Sequence, residues 1–278
     1  MKERTDWAHF RLLAVDMDGT LAGADHRVTA RTVGVLARAE RVGLHTVVVT
    51  GRAYPTALDV WRQAGLTAPL VTCGGALILQ PPELRVVKAT FLPDDVVQET
   101  LRLGRELDLT VSLWTQDAIW VTRQGMPADV LATVNAMVTS TIESGPRAPV
   151  PYGPRRVLKV MVGADPRRLD EVADDVLSRL ASVKAARSMP QFIEATPLEA
   201  SKRQALIVVL DGLHINPADA IAIGDGDNDV DMLLLAGLAV VPSNAMPGPR
   251  AVAHRIIGHH DREAVAEFVE EILQSRGN

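Results

Sequence analysis

The sequence contains a single cysteine, Cys73, so it has no second thiol with which to form an internal disulfide bond. One free thiol fits a protein of a reducing compartment. Long apolar runs are also missing: the most apolar segment, residues 232–241, is about half of the ~20 residues that a membrane-spanning helix requires. Residues 1–9 carry four charged side chains and no apolar run of signal-peptide length. These absences predict a soluble cytoplasmic protein with no membrane partner.

An excess of positive charge is missing as well. Lys and Arg total 29 against 34 Asp and Glu, which gives a formal net charge of −5. This balance argues against a nucleic-acid partner, because contacts to phosphates require clustered basic side chains. No Gly-x-Gly-x-x-Gly motif follows the first predicted strand, so a nucleotide-binding oxidoreductase is excluded. The sequence also shows no internal repeat and no low-complexity segment.

What the sequence does contain is ample material for packed cores. It is 47% hydrophobic and 23% charged, and its 278 residues are a comfortable length for two domains. Between residues 12 and 73, strand-like and helix-like segments alternate in the order β-α-β-α-β, and the same pattern returns after residue 200. That order predicts an α/β fold with a Rossmann-like parallel-sheet core and right-handed crossovers.

The middle of the chain follows a different pattern. Paired short strands separated by single helices predict an α+β domain over residues 83–197, inserted into the core. Within it we predict a helix over residues 127–143 and, from its proline and glycine content, a surface loop over residues 144–154. The core domain would then comprise residues 1–82 and 198–278.

Two aspartates follow the first predicted strand. The apolar run of residues 12–15 ends at Asp16 and Asp18, which are two residues apart. On an extended chain this spacing points both side chains to one face, and ligands of open α/β sheets bind at the carboxyl ends of the strands. Two carboxylates so close repel each other unless a proton or a cation lies between them, and Mg²⁺ prefers such oxygens. The alternative is an ordinary strand that ends in an Asp-Gly turn.

Three further polar groups occur at the ends of predicted core elements. They are Thr50-Gly51-Arg52 after the second strand, Lys202 near the start of a helix, and Asp225 with Asp229 in an acidic loop. Each has a structural alternative: a turn, a solvated helix end, or acids favoured by a helix dipole. A calcium loop is excluded because Val230 and Ala236 would occupy its sixth and twelfth positions. Since all the groups fall along one predicted sheet edge, we expect a single crevice that collects them.

These motifs make the chain similar to a known superfamily. The segments that carry the resemblance are the strand end at residues 16–21, Thr50-Gly51-Arg52, the helix of Lys202, the Gly224–Asp229 loop and the Asn244-Ala245-Met246-Pro247 loop. In this order they resemble the haloacid-dehalogenase-like phosphotransferases, specifically the Cof-type phosphatases with a type IIB cap domain. The resemblance covers essentially the whole chain. It implies that residues 83–197 form the cap, which provides substrate specificity.

The resemblance also implies roles for individual residues. Asp16 would be the nucleophile that forms an aspartyl-phosphate, and Asp18 the general acid for the leaving alcohol and then the base for water. The implied cofactor is Mg²⁺, and the expected metal-site residues are Asp16, Asp18 through its backbone carbonyl, Asp225 and Asp229. The expected phosphate- or substrate-binding residues are Thr50, Gly51, Arg52, Lys202, Asn228 and Asn244.

Some positions depart from the family pattern. Gly74 stands where the family often has Asn, Arg203 follows the lysine in place of Gly, and His259-His260-Asp261 replaces a Ser-Asn-Asp segment. None of these changes removes a nucleophile, an acid, a metal ligand or the lysine, so they bear on substrate fit. His259 and His260 are a conceivable metal pair, although adjacent histidines on an exposed loop are more often incidental.

The expected function is Mg²⁺-dependent hydrolysis of a small phosphorylated metabolite, with a sugar phosphate favoured, by a monomer or homodimer. A phosphosugar mutase on the same core and a catalytically idle binding module are the alternatives. In the cap, Arg187 and Ser188 are candidate substrate contacts. Trp114 and Trp120 are further candidates, for which packing is the alternative role.

Overall fold

The computed structural model describes residues 7–125, 127–135, 139–141 and 156–276. The chain forms two compact units, one of Met1–Val87 with Ser201–Asn278 and one of Lys88–Ala200. The units divide a few residues later than the breaks predicted at residues 82 and 197. Among the described residues, no helix is both long and apolar enough to span a membrane.

The elements alternate along the chain as follows. The strands are β1 (Leu12–Val15), β2 (His45–Val48), β3 (Leu70–Thr72), β4 (Leu77–Gln80), β5 (Arg85–Ala89), β6 (Thr110–Trp114), β7 (Ile119–Val121), β8 (Thr139–Thr141), β9 (Lys159–Gly163), β10 (Lys184–Met189), β11 (Phe192–Thr196), β12 (Ala220–Ile223), β13 (Leu238–Pro242) and β14 (Arg255–Ile257). The helices are α1 (Ala30–Arg41), α2 (Tyr54–Ala64), α3 (Asp94–Glu106), α4 (Ala128–Asn135), α5 (Pro166–Arg179), α6 (Lys202–Leu213), α7 (Val230–Leu235), α8 (Pro247–Val252) and α9 (Ala264–Ser275).

The first unit is built on a five-stranded parallel sheet in the order β14-β13-β12-β1-β2. Alternate residues of β1 face two separate apolar clusters: Leu13 and Val15 pack with residues of α1, α2 and α9, whereas Leu12 and Ala14 pack with residues of α6 and α7. Helices therefore cover both faces, as expected for a parallel sheet. Because the strands are parallel, the residues that follow β1, β2, β12 and β13 lie at one edge, and the Rossmann-like prediction is confirmed.

One detail of the predicted sheet differs in extent. The segment that we predicted as a third parallel strand, β3, does run parallel to the end of β2, but it joins the main sheet through a single bridge between Val49 and Val71. Its ladder is antiparallel to β4, in a separate sheet of order β3-β4-β5. The physical reason is the turn that follows β3, where Gly74 and Gly75 adopt positive φ angles of 67° and 99° and reverse the chain.

The second unit is an α+β domain, as predicted. Its sheet has the order β10-β11-β9-β6-β7-β8, with antiparallel pairing except between β7 and β8. An apolar cluster on one face combines Val111 and Leu113 of β6 and Val160 of β9 with residues of α3 and α5. This unit thus has a core of its own.

Part of the second unit differs from the prediction of one helix over residues 127–143. Helix α4 ends at Asn135, and residues 139–141 form β8 beside β7. The sequence there is Thr-Ser-Thr, and β-branched residues favour strands over helices. The predicted surface loop over residues 144–154 lies outside the described residues. In the first unit, α8 and β14 were not predicted.

Candidate active site

The centre of the site is a lysine between two aspartates. Asp16 continues β1, since its N–H donates to the carbonyl of Ile223 at 2.9 Å. Lys202 is the first residue of α6, which Ser201 caps. The Lys202 Nζ donates to Asp16 Oδ1 and to Asp229 Oδ1, each at 2.6 Å. Lys202 is 2% exposed and Asp229 is fully buried, so this cluster is shielded from water.

Two carboxyl groups at this site, those of Asp16 and Asp225, have raised pKa values. Burial, together with the charges of Asp229 and Asp225, raises the pKa of Asp16 to about 8 despite the neighbouring lysine. Burial also raises the pKa of Asp225. Burial alone would lower the pKa of Lys202, but Asp16 and Asp229 outweigh it and raise that pKa, so the ammonium stays charged. The site carries more negative charge than one lysine offsets.

The loop after β12 is shaped around Asp229. Its Oδ2 accepts hydrogen bonds from the backbone N–H groups of Asp225 and Gly226, at 3.1 and 3.0 Å. Asp225 Oδ1 accepts a hydrogen bond from the Thr20 hydroxyl at 2.7 Å, which ties this loop to the segment after β1. Gly19 has φ +71°, and a Cβ there would lie 2.3 Å from Asp225 Oδ2. Only glycine allows this approach of backbone to carboxylate.

Three of these carboxylates are placed where they could share a cation. One oxygen each of Asp16, Asp225 and Asp229 lies within 4.8 Å of the others. Both oxygens of Asp229 already accept hydrogen bonds, from Lys202 and from two backbone N–H groups. We therefore expect Asp16 and Asp225 to provide the ligand oxygens and Asp229 to orient its neighbours.

Asp18 lies in a second cluster with Arg52 and His26. Arg52 Nε donates to Asp18 Oδ2 at 2.7 Å, and its Nη2 donates to Asp18 Oδ1. His26 Nδ1 is 3.0 Å from the same Oδ1. Burial would raise the pKa of Asp18, but the hydrogen bonds and charge of Arg52 outweigh it, and the pKa is lowered. Arg52 was predicted to bind phosphate or substrate, and here its partners are Asp18 and the His26 carbonyl.

The other predicted binding residues lie near these two clusters. Thr50 is buried at the end of β2, where its Oγ1 accepts a hydrogen bond from the Arg52 N–H at 3.1 Å. Gly51 separates these two residues in the same turn and is partly exposed. Asn228 is exposed on the short turn Asp227–Asp229, next to the buried Asp229. The roles of these three residues toward phosphate stay predictions.

Asn244 connects two loops. Its Nδ2 donates to the Gly19 carbonyl at 2.8 Å, and its Oδ1 accepts from the His260 N–H at 3.1 Å. Asn244 therefore connects Gly19, the residue after Asp18, to His260 in the C-terminal turn. Its prediction as a residue that closes the pocket stays untested.

The adjacent histidines take part in this connection. His260 Nδ1 lies 2.9 Å from the Ala22 carbonyl, and Asp261 Oδ1 accepts from the Ala24 N–H at 2.8 Å. His259 Nδ1 accepts from the Asp261 N–H at 3.3 Å. The side-chain atoms of these three residues are close enough to hold a metal. Because both Nδ1 atoms and Asp261 Oδ1 already serve hydrogen bonds, the cluster is better explained as an anchor for residues 22–24.

Close packing explains Gly75, the second residue of the Gly74-Gly75 pair; nothing in the structure explains Gly74 in place of Asn. Gly75 packs against the start of α6, so that a Cβ there would lie 2.3 Å from the Ser201 carbonyl oxygen. The turn after β3 thus abuts the residue that precedes Lys202. A glycine at position 75 is required for Lys202 to lie where it does.

The candidate contacts in the second unit are engaged within that unit. The Trp114 ring lies 4.3 Å from the Lys159 ammonium, and Trp120 packs against the apolar cluster of this unit. Arg187 forms an ion pair with an acidic side chain of α5. Ser188 is exposed. Packing accounts for Trp120, and the role of the others toward a substrate stays a prediction.

Sequence reasoning missed two residues of these clusters. Thr20 directly follows the Asp18-Gly19 pair, so its position next to the aspartates was a usable signal. His26 gave no such signal, because its place depends on the course of a polar loop. Its backbone is in the left-handed region, with φ +62°.

Comparison with known proteins agrees with this geometry. A family model described as haloacid dehalogenase-like hydrolase matches residues 13–269. An HMP-PP phosphatase of Serratia proteamaculans (strain 568) is 29% identical over 268 residues, which cover 96% of each chain. A haloacid dehalogenase-like hydrolase from Bacteroides thetaiotaomicron superposes with a TM-score of 0.85 at 24% identity, over 95% of this chain and 99% of that one.

A further solved structure, described as the HAD subclass IIB sugar phosphatase BT4131, has a TM-score of 0.76 at 18% identity, over 94% of this chain and 98% of that one. At such identities the solved structures show the fold alone. The chain belongs to the haloacid dehalogenase-like hydrolase family, and it is an enzyme of the phosphatase class within it. The fold of the BT4131 structure agrees with an α+β domain inserted into a parallel-sheet core, and we call the inserted domain the cap, as in the sequence-based expectation.

Proposed function

We propose that the protein is a Mg²⁺-dependent phosphatase that hydrolyses a small phosphorylated metabolite through an aspartyl-phosphate. The observation that carries the proposal is the buried Lys202 ammonium, 2.6 Å from both Asp16 and Asp229, with Asp225 alongside. A stability argument does not explain such a cluster, because buried ion pairs contribute little to stability relative to apolar residues of the same volume. A phosphoryl group needs a nucleophile and fixed positive charge in one place.

In the first half-reaction, Asp16 attacks phosphorus through a carboxylate oxygen. The bond between phosphorus and the leaving-group oxygen breaks, and Asp18 gives its proton to that oxygen. Lys202 is placed to offset the charge on the phosphoryl oxygens, with Thr50 as a further donor. In the second half-reaction, Asp18 takes a proton from water, the water oxygen attacks phosphorus, and inorganic phosphate leaves Asp16 as a free carboxylate.

The chemistry of the donor set fits Mg²⁺. The available groups are carboxylate oxygens of Asp16 and Asp225 with no nitrogen or sulfur among them, which suits a hard cation. Burial, together with the charge of Asp229, raises the pKa of both aspartates, and a divalent ion would favour their ionised forms. The backbone carbonyl of Asp18 is the further ligand that we propose. When bound, the ion would supply charge neutralisation for the nucleophile and the phosphoryl group.

The second part of the proposal concerns the identity of the substrate. One relative is named HMP-PP phosphatase and one structural neighbour is described as a sugar phosphatase, so we propose a small phosphorylated metabolite, with a sugar phosphate and HMP-PP as the first candidates. The cap, residues 83–197 in our domain assignment, would provide specificity.

The test is phosphate release from a panel of sugar phosphates, phosphorylated sugar acids, nucleotides and HMP-PP, with Mg²⁺ and with EDTA. We expect release that requires Mg²⁺ and that Asp16→Asn abolishes while the variant keeps its thermal unfolding midpoint. Mass spectrometry of acid-quenched enzyme should find phosphate on the peptide that contains Asp16.

Three outcomes would contradict the proposal. Activity that persists in Asp16→Asn would exclude the aspartyl-phosphate, and an isomeric sugar phosphate in place of free phosphate would identify a mutase. Absence of turnover on the whole panel, by a protein that still binds Mg²⁺, would favour a binding module.

A further inference from the structure

Arg52 is a buried arginine whose partners are Asp18 and a backbone carbonyl. Its guanidinium donates to both oxygens of Asp18, and Nη1 and Nη2 also approach the His26 carbonyl at 3.2 and 3.3 Å. The Arg52 side chain is 3% exposed, whereas that of Asp18 is 39% exposed. A two-pronged contact from a buried, planar group fixes both the position and the plane of the carboxylate.

His26 contacts the same carboxylate of Asp18. It belongs to the short polar segment of residues 21–27, which we call the flap. Its Nδ1 lies 3.0 Å from Asp18 Oδ1, and its own carbonyl accepts from Arg52. The left-handed backbone at φ +62° directs both groups of this one residue toward the same cluster.

The flap is itself held in place. His260 contacts the Ala22 carbonyl, and Asp261 accepts from the Ala24 N–H. These two contacts connect the flap to the C-terminal turn of residues 259–262, and Asn244 donates to the Gly19 carbonyl just before the flap. His26 therefore projects from an anchored segment and not from a free loop.

We propose that His26 and Arg52 are positioning residues that hold the Asp18 carboxyl group in the one orientation from which it exchanges a proton with the leaving-group oxygen. This inference rests on the proposed phosphatase function. A general acid must lie within hydrogen-bond reach of the atom that it protonates, and small misplacements are costly. His26 acts through Asp18 and does not contact the reacting atoms.

Two substrates with different leaving groups can distinguish a positioning role of His26 from a general structural role. 4-Nitrophenolate departs as a stable anion and needs little help from an acid, whereas phenolate needs a proton. The corresponding substrates, 4-nitrophenyl phosphate and phenyl phosphate, are otherwise similar in size. Because kcat/KM covers the steps up to loss of the leaving group, its ratio for phenyl phosphate and 4-nitrophenyl phosphate reports the action of Asp18.

The variants are His26→Gly, which tolerates the left-handed backbone and lacks the ring, and His26→Asn, whose amide nitrogen can replace Nδ1. We expect His26→Gly to lower kcat/KM for phenyl phosphate about tenfold, a part of the roughly 10²-fold or more that a general acid contributes. The value for 4-nitrophenyl phosphate should stay near wild type, and His26→Asn should restore most of the loss. Arg27→Ala, an exposed neighbour on the flap, is the matched control and should leave both values unchanged.

Equal losses on both esters, or a gain for phenyl phosphate in His26→Gly, would overturn the positioning role. A similar pattern in Arg27→Ala would assign the effect to the flap as a whole. If the wild-type enzyme hydrolyses neither ester nor any member of the metabolite panel, the proposed function itself fails, which is a different result. If only the positioning role of His26 is wrong, the wild-type enzyme still hydrolyses its substrates.

Discussion

Each unit of the protein buries one lysine among the residues that the structure describes, and the two lysines differ in their partners. Lys202 in the first unit and Lys159 in the second are 2% and 3% exposed. Lys202 lies between two carboxylates that are nearly or fully buried. The partners of Lys159 include the carboxylate of Glu194, at 2.8 Å and with 27% exposure, and the face of the Trp114 ring.

Burial alone therefore does not identify a charged side chain as functional. Lys159 pairs with Glu194, which is partly exposed and keeps some contact with water. Around Lys202 the carboxylates outnumber the cation, since Asp225 adds a third, and burial together with the charges of Asp229 and Asp225 raises the pKa of Asp16 to about 8. An unbalanced buried cluster is costly, so its presence indicates a ligand that completes it.

The largest expected effect comes from Lys202→Met. This change leaves Asp16 and Asp229 buried without their cation, so the free energy of unfolding should fall by about 3 kcal/mol, the cost of breaking a buried pair. Urea denaturation followed by circular dichroism measures it. Phosphate release should be lost as well, because no other fixed positive charge of this cluster lies beside Asp16. If Lys202→Met lowered the free energy of unfolding by less than Lys159→Met does, the two buried lysines would not differ as described.

The matched change, Lys159→Met, should cost less. It removes one charge-assisted hydrogen bond and one cation–π contact, together about 2 kcal/mol, and the carboxylate of Glu194 can turn to solvent. The kcat/KM for 4-nitrophenyl phosphate should stay close to wild type, because the first unit contains the proposed catalytic residues. A loss of that activity in a stably folded variant would make Lys159 a functional residue and remove the contrast.

The smallest effect is expected at the surface of the cap, where Glu99 accepts from Arg102 and Arg179. Burial would raise the pKa of Glu99, but these hydrogen bonds outweigh it and lower the pKa below its usual 4.5. Its stabilisation is therefore present above pH 4.5 and disappears as the pH falls through the lowered value.

Glu99→Gln should cost less than about 1 kcal/mol at pH 7, as exposed ion pairs do. The difference from wild type should vanish in acid, which urea titrations at pH 7 and pH 3 would check. A difference that grows toward acid would contradict the assignment.

Much of the catalytic core was predictable from the sequence, because parallel strands force a common edge. Asp16 ends β1 and Asp225 follows β12, and neighbouring strands in one register bring such residues together wherever the helices lie. The family motifs then assigned Lys202 to the same place. The structure agrees that Asp16, Lys202, Asp225 and Asp229 form one cluster.

The rest depended on interactions that no local pattern encodes. The contact of His26 with Asp18 requires the path of the flap, which hydrogen bonds from the C-terminal turn determine. The division of residues 127–143 into α4 and β8 depends on pairing with β7. Likewise, β3 turned out to pair with β4 because two glycines reverse the chain.

The insertion of the cap between the two halves of the first unit has a consequence for synthesis. The cap is one continuous segment, Lys88–Ala200, whereas β1 needs β12 as its neighbour, and Lys202 is 186 residues beyond Asp16. Since domains fold as their segments leave the ribosome, we expect the cap to fold while the first half of the core still lacks its central partner. The cluster of Asp16, Lys202 and Asp229 is then among the last parts of the molecule to form. A prematurely terminated chain carries Asp16 without Lys202, and we expect it to hydrolyse no phosphate ester.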